Sequence, residues 1–242
     1  MAMEVEPVRL PKKAEVVARR IAASIVENDF GPGTVMPSEP EMLAQFQVAR
    51  STLREALRLL ETQGVLSLQA GRSPVVRQPS ADQLLNSLTL LLQFRNGTFE
   101  TLLRSRVLFE PPIAGEAARR ARPEQLDALR ENVAQAKKGS ATQHELVRRE
   151  LEFHRLVAEC SGNQLASLIV ATVATALANE LGTQHVDHDF AREIQFHEQI
   201  IDALAAQDAA QAEALMRVHI QDILNSAEKN HRALLARPVH WM

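Results

Sequence analysis

The sequence predicts a mainly α-helical protein in two parts, a short front domain of three helices and a β-hairpin followed by a longer all-helical bundle. Three observations carry that expectation. Proline, glycine and small polar residues punctuate residues 31–39 and 71–80, whereas the chain after Ala81 is rich in Ala, Leu, Glu and Gln with helical periodicity almost throughout. A chain of 242 residues with 45% hydrophobic content can bury one large core or two modest ones. Charge is split as well: the net charge is −3, yet residues 1–78 hold 10 Lys/Arg against 9 Asp/Glu and the remainder 17 against 21. These place the front domain at residues 1–78 and the bundle at 79–242.

The front elements follow in order. Lys13 to Asn28 carry apolar side chains at Val17, Ile21 and Ile25 with Ala22 alongside, a first helix with one buried stripe. It stops at "NDFGPG". In "VMPSEPEMLAQF", Ser38 is a candidate N-cap with Glu41 three residues on, and Pro40 falls in the first turn, where its missing N–H costs little. A second, short helix begins there. After the turn "QVA", the stretch "VARSTLREALRLLETQG" sets Leu53, Leu57 and Leu60 with Ala56 on an inward face and ends at Gly64. "VLSLQAGRSPVVRQ" reads as two strands, Val65 to Gln69 and Pro74 to Arg77, joined by a turn that holds Gly71 and Arg72.

Three helices and a hairpin describe a winged helix-turn-helix, whose second motif helix lies in the DNA major groove with its N-terminal residues at the base edges. Arg50 and Arg54 sit at that end. A guanidinium fork suits phosphate and the O6/N7 edge of guanine, Ser51 and Thr52 can donate to phosphates at the helix start, and Arg72 at the wing tip adds a phosphate or minor-groove contact. Arginines four apart usually mark a solvated face. The capped short helix, tight turn and glycine-tipped hairpin around them favour DNA here.

The run "PGTVMPSEPEMLAQFQVARSTLREALRLLETQGVL" closely resembles the DNA-binding domain of the GntR family of bacterial transcription regulators, over roughly residues 10 to 78. Pro32-Gly33, Pro37-Ser38-Glu39, Val48, Arg50, Arg54-Glu55-Ala56-Leu57 and Gly64 carry the resemblance. It implies DNA contacts from Arg50, Ser51, Thr52, Arg54 and the Gly71-Arg72 wing tip. Three positions depart from the family habit: Pro40 stands for a backbone-touching arginine, Ala49 for a capping serine or threonine, and Ala70 for a larger polar residue. A lost cap costs ~0.5 to 2 kcal/mol, and a lost phosphate contact flattens the salt slope by about one unit.

In the back domain, "LLNSLTLLLQF" is apolar enough for burial on more than one face, and "FETLLRSRVLFEPPIAGEAARRA" is expected to form a helix interrupted at Pro111-Pro112. Pro123, Gly162 and "GTQHVDHDF" mark further ends, so six or seven helices fit. Glu150 and His154, four apart in "RRELEFHRLVAE", share a helix face. His197 lies about ten residues before a turn at Gln207-Asp208, where Asp208 with Gln211 offers a cap, and His219 about eleven after it. At ~1.5 Å rise per residue an antiparallel hairpin sets the two level. Three imidazoles and a carboxylate then suit a borderline divalent ion, zinc first and nickel or manganese next, with room for a further ligand. One histidine on an apolar helix is usually only packed; the set of four argues otherwise. His185 and His188 read as surface loop residues, and His144, His231 and His240 have no partners at useful spacing.

This half resembles the FCD ligand-binding domain of the FadR subfamily within the same regulators. Arg106 with Glu110 in "RSRVLFE", "ELEFH", Ser161 to Asn163, "HEQIIDAL" and "MRVH" carry the likeness. It implies a metal set of Glu150, His154, His197 and His219, although the family's first ligand is usually aspartate. It also implies Arg106 as an effector contact, its fork holding a carboxylate; an i to i+4 ion pair with Glu110 is the alternative. The acyl-thioester-binding branch lacks the histidine set, so a small organic acid is the expected effector.

The expected protein is a homodimeric DNA-binding regulator, by habit a repressor, whose binding to double-stranded operator DNA is controlled by a small carboxylate at the metal. A metal-dependent enzyme and a purely dimerising back domain are the rivals; no general base stands out for the first. One cysteine, Cys160, fits a reducing cytosol. With no signal-peptide pattern and no window of ~18 apolar residues, a cytoplasmic chain without a membrane span is expected.

Overall fold

The computed structural model of the chain describes residues 12–77, 81–138, 142–181 and 189–239. His185, His188 and His240 lie outside them. The chain divides into two compact units between Gln83 and Leu84.

The front unit holds α1 (Lys13–Glu27), α2 (Glu39–Phe46), α3 (Arg50–Thr62), β1 (Leu66–Ser67) and β2 (Val75–Val76). Val17, Ile21 and Ile25 of α1 meet Leu53, Ala56, Leu57 and Leu60 of α3 in one core, closed by Met36, Met42, Leu66 and Val76. Each buried leucine contributes about 1.5 to 3 kcal/mol. The Glu41 carboxylate accepts from the backbone N–H of Ser38 at 2.7 Å and from its hydroxyl at 2.6 Å, which fixes the start of α2. Those bonds, hydroxyl first, also hold the Glu41 carboxyl below the usual range. The turn into α3 needs a left-handed residue and takes it at Gln47, φ 50°.

The strands are shorter than the sequence suggests. β1 and β2 pair antiparallel with Leu66 opposite Val76 and Ser67 opposite Val75. The reason is a third partner: Val35 bridges Val75, Met36 N–H donates to Pro74 O, and Val76 N–H donates to Thr34 O. The ladder is thereby spread over three short segments. Gly71, φ 73°, turns the hairpin tip.

The back unit is all helical among its described residues: α4 (Ala81–Phe94), α5 (Phe99–Arg120), α6 (Pro123–Ala136), α7 (Gln143–Cys160), α8 (Gln164–Leu181), α9 (Phe190–Ala205), α10 (Ala209–Asn230) and α11 (Arg232–Leu235). That is one more than the upper expectation, and the four-residue α11 is too short to show a period. Pro111 and Pro112 do not interrupt α5. Two N–H donors are lost, but the helix is clasped by α10, α7, α8 and α9, and Pro111 is itself buried. Small residues Ala114, Ala117 and Ala118 let α10 approach; a Cβ on Gly115 would meet the Ala209 carbonyl at 3.2 Å.

Between α9 and α10 Gln207 turns left-handed at φ 56°, and the Asp208 carboxylate accepts from Gln211 N–H at 2.9 Å. At the start of α7 the Thr142 hydroxyl accepts from Glu145 N–H at 3.3 Å, and the Glu145 carboxylate accepts from Thr142 N–H at 2.7 Å. α8, with mean hydropathy 1.4, is long and apolar enough by composition to cross a bilayer. It packs on α7 and α5 instead.

Candidate functional site

On the front unit, Arg50, Ser51, Arg54, Gly71 and Arg72 are exposed and Thr52 is half-buried. Ala49 begins α3 with no side-chain cap bond. A groove runs between the start of α2, the outer face of α3 and the hairpin tip, lined among others by Pro40, Arg54, Arg58, Gly71 and Arg72. Arg54 does not float in it: its Nε donates to Glu39 Oε2 at 3.1 Å, from fifteen residues earlier in the chain. At Arg72 the Nη1 donates to Gln69 Oε1 at 3.0 Å. Glu39 is missed by sequence reasoning because its spacing to Arg54 fits no helical repeat.

In the back unit α7 supplies Glu150 and His154, α9 supplies His197, and α10 supplies His219. All are buried, because each lies on the inward stripe of its helix. The α9–α10 hairpin brings His197 Nε2 within 3.2 Å of His219 Nε2, and His154 Nε2 lies 3.1 Å from His219 Nε2. Phe153 stacks on His197 with centroids 3.7 Å apart and fixes that ring. Among the described residues, the donor set able to hold an ion together is His154, His197 and His219. Glu150 lies beside it, Oε1 at 3.1 Å from His154 Nε2, and that oxygen also accepts from Arg106 Nη2 at 3.0 Å.

The donor set fits a divalent ion. An ion at ~2.0 to 2.1 Å from each nitrogen separates them by ~3.3 Å when tetrahedral and ~3 Å when octahedral, which brackets the two spacings to His219 Nε2, and the three ligand atoms all lie within 4.8 Å of one another. Three imidazole edges facing one another cannot all be satisfied by shared protons, and an ion satisfies them together. The charge states suit this in part. Burial and then the neighbouring His154 hold His197 far below the usual imidazole range, and burial and then His197 do the same to His219. Both are neutral ligands near neutral pH. For His154, burial and Arg106 favour the neutral ring, but Glu110 and Glu150 outweigh them and raise its pKa.

Arg106 and Glu110 of α5 complete the cluster. Arg106 Nε donates to Glu110 Oε1 at 2.8 Å, so the i to i+4 pair is formed. Burial would lower the Arg106 pKa, but Glu110 and Glu150 more than reverse that. Burial likewise opposes ionisation of Glu110, yet Arg106 and then His154 bring its carboxyl down to about 2. Glu150 is lowered well below the ordinary value against its burial, by Arg106 and then His154. Beside this cluster is a largely apolar cavity lined by Arg106, Glu150, Leu103, Leu177, Phe190 and His231, among others. His231 gains its place there from the end of α10.

A winged helix-turn-helix with arginines at the exposed start of its second motif helix, joined to a helical sensor-like bundle, defines a DNA-binding transcription regulator. Residues 13–76 match the bacterial regulatory proteins of the gntR family, and residues 101–222 match the FCD domain. The chain belongs to the GntR family of regulators with an FCD domain. It is 28% identical over 229 residues to the HTH-type transcriptional repressor NanR of Cronobacter sakazakii, covering 90% of this chain and 86% of that one. The Escherichia coli K12 repressor of the same name is 27% identical over 223 residues, covering 90% and 85%. The solved structure of Streptococcus agalactiae GntR superposes with a TM-score of 0.71 at 26% identity, covering 88% of this chain and 99% of that one. The chain is thus a regulator and not an enzyme, and regulators of this family bind operator DNA.

Proposed function

We propose that the chain is a homodimeric, cytoplasmic repressor whose operator binding is set by a small organic acid held beside a divalent metal ion in the FCD domain. The observation that carries the effector reading is the convergence of three buried imidazole Nε2 atoms next to a cavity that Arg106 and Glu150 line. His154, His197 and His219, with Glu150, would hold the ion, zinc before nickel or manganese; when bound, it supplies a Lewis-acidic centre for an oxygen of the acid. Arg106 meets the same ligand's carboxylate from the cavity side, in competition with Glu150. Arg50, Ser51, Thr52, Arg54, Gly71 and Arg72 read or grip the operator.

The dimer is supported by an apolar face on α5 and α8, where Leu108 and Leu165 are exposed by 72% and 65% beside Phe109, Pro112, Ile113 and Ile169. Exposed apolar surface of this kind marks an interface. The deciding experiment is elemental analysis of untagged protein purified without chelator, beside His197→Ala. About one ion per chain, lost in the variant, is expected; no metal after incubation with zinc, nickel and manganese refutes the site. A screen of small carboxylates for operator release, read by fluorescence anisotropy, then identifies the acid.

A further inference from the structure

We propose that Glu110 is the positioning residue of His154: it accepts the proton on Nδ1, so that the Nε2 lone pair of His154 stays aimed at the point where the three imidazoles converge. The inference rests on the metal reading above and adds a residue to it. Glu110 Oε2 lies 2.5 Å from His154 Nδ1. Both atoms are buried and neither hydrogen-bonds to any other group, so this short contact is what stands against the polarity of each. The second oxygen, Oε1, accepts from Arg106 Nε at 2.8 Å, which fixes the carboxylate at both ends. Arg106 is in turn tied to Glu150.

A neutral imidazole carries one proton, and of the two carboxylates that His154 faces, Glu110 at 2.5 Å from Nδ1 is nearer than Glu150 at 3.1 Å from Nε2, whose oxygen is also held by Arg106. With Glu110 on Nδ1, the lone pair belongs to Nε2, the atom 3.1 Å from its counterpart on His219. A carboxylate behind a ligating histidine also raises the basicity of the ring, and loss of such a partner typically weakens metal affinity 10- to 100-fold. His219 Nδ1 is buried without a hydrogen-bond partner, so that ring has no such support. Arg106 acts here as the anchor of Glu110.

The test uses the full chain with ¹⁵N-labelled histidine and Zn²⁺ as the probe, in wild type, Glu110→Gln and Glu110→Leu. Zinc affinity is measured by competition with a chromophoric chelator, and the unfolding midpoint of each chelated variant checks its fold. Affinity is expected to fall 10- to 100-fold in Glu110→Gln and further in Glu110→Leu, with one ion per chain retained. In the loaded wild type His154 should show a downfield, slowly exchanging Nδ1–H signal that moves upfield and exchanges faster in the variants, a change that mere loosening of the helix packing would not produce. If Leu does not fold, Gln decides. Unchanged affinity and an unchanged Nδ1–H signal in folded Glu110→Gln, or zinc bound through His154 Nδ1 in wild type, overturns the proposal and leaves the metal site standing. A wild type that takes up no zinc overturns both.

Discussion

In the metal-free chain, lowering the pH should destabilise the bundle by an amount that follows from its buried histidines. His197 and His219 are held far below the ordinary imidazole range by burial, then by each ring's neighbouring histidine. Folded, they stay neutral; unfolded, each takes up a proton below about 6.5. A histidine with a depressed folded pKa contributes no penalty above its unfolded pKa, and stability falls as pH drops below that point. Each extra proton bound by the unfolded chain gives a slope of ~1.4 kcal/mol per pH unit. With both rings still neutral at pH 5, the pair costs on the order of 2 kcal/mol between pH 6 and pH 5. His154 works the other way, since its pKa is raised: its stabilisation is fully present below the unfolded value and lost only as pH rises through the folded one. It is charged in both states over this window and nearly drops out. Glu110, held at about 2, adds its own loss only below about 4.5. The assay is urea unfolding of the chelated full chain at pH 6.0, 5.5 and 5.0, followed by far-UV circular dichroism. A stability that is flat or rises across that window would mean the rings accept protons while folded, and the buried three-histidine cluster would be wrong.

Three other perturbations separate the parts of the molecule. Arg54→Ala should weaken operator binding by about 1 to 3 kcal/mol with an unchanged unfolding midpoint, and Glu39→Gln, which frees the Arg54 fork, should weaken it less; unchanged binding in Arg54→Ala by mobility shift would put the wrong helix in the groove. Gly115→Val should cost several kcal/mol in thermal unfolding, on the order of the larger overpacking penalties, because the added side chain meets the Ala209 backbone and Glu213; a neutral outcome would mean that α5 and α10 can part. Leu108→Glu with Leu165→Glu should shift the chain from dimer to monomer at micromolar concentration by light scattering while the circular dichroism is kept, and an unaltered dimer would move the interface elsewhere.

Much of this is legible residue by residue. The leucine spacing of α3, the Ser38/Glu41 cap and the Gly71 tip are local signals, and local backbone preference with one-sided burial is enough to decide them. The α9–α10 hairpin is legible because two helices joined by a capped turn leave few ways to place His197 against His219. Pro111-Pro112 misled, since helix propensity counts only the two lost bonds and not the four helices that clasp α5. The third partner of the hairpin, Thr34 to Met36, was invisible because one bridge leaves no alternation to read.

Glu39 behind Arg54, Glu110 behind His154 and the double hold on Arg106 share one character: the partners come from different helices or from different turns packed against one another. The sequence by itself determined the two-domain plan, the helix that exposes Arg50 and Arg54 and the histidine set, because these depend on spacing along single elements. Only the tertiary structure decided which charges face each other. For Arg106, Glu110, Glu150 and His154 burial makes the pairings obligatory, since a charged group removed from water is stable only beside a partner, and apart from the i to i+4 pair of Arg106 with Glu110 chain spacing does not contain the partner's position.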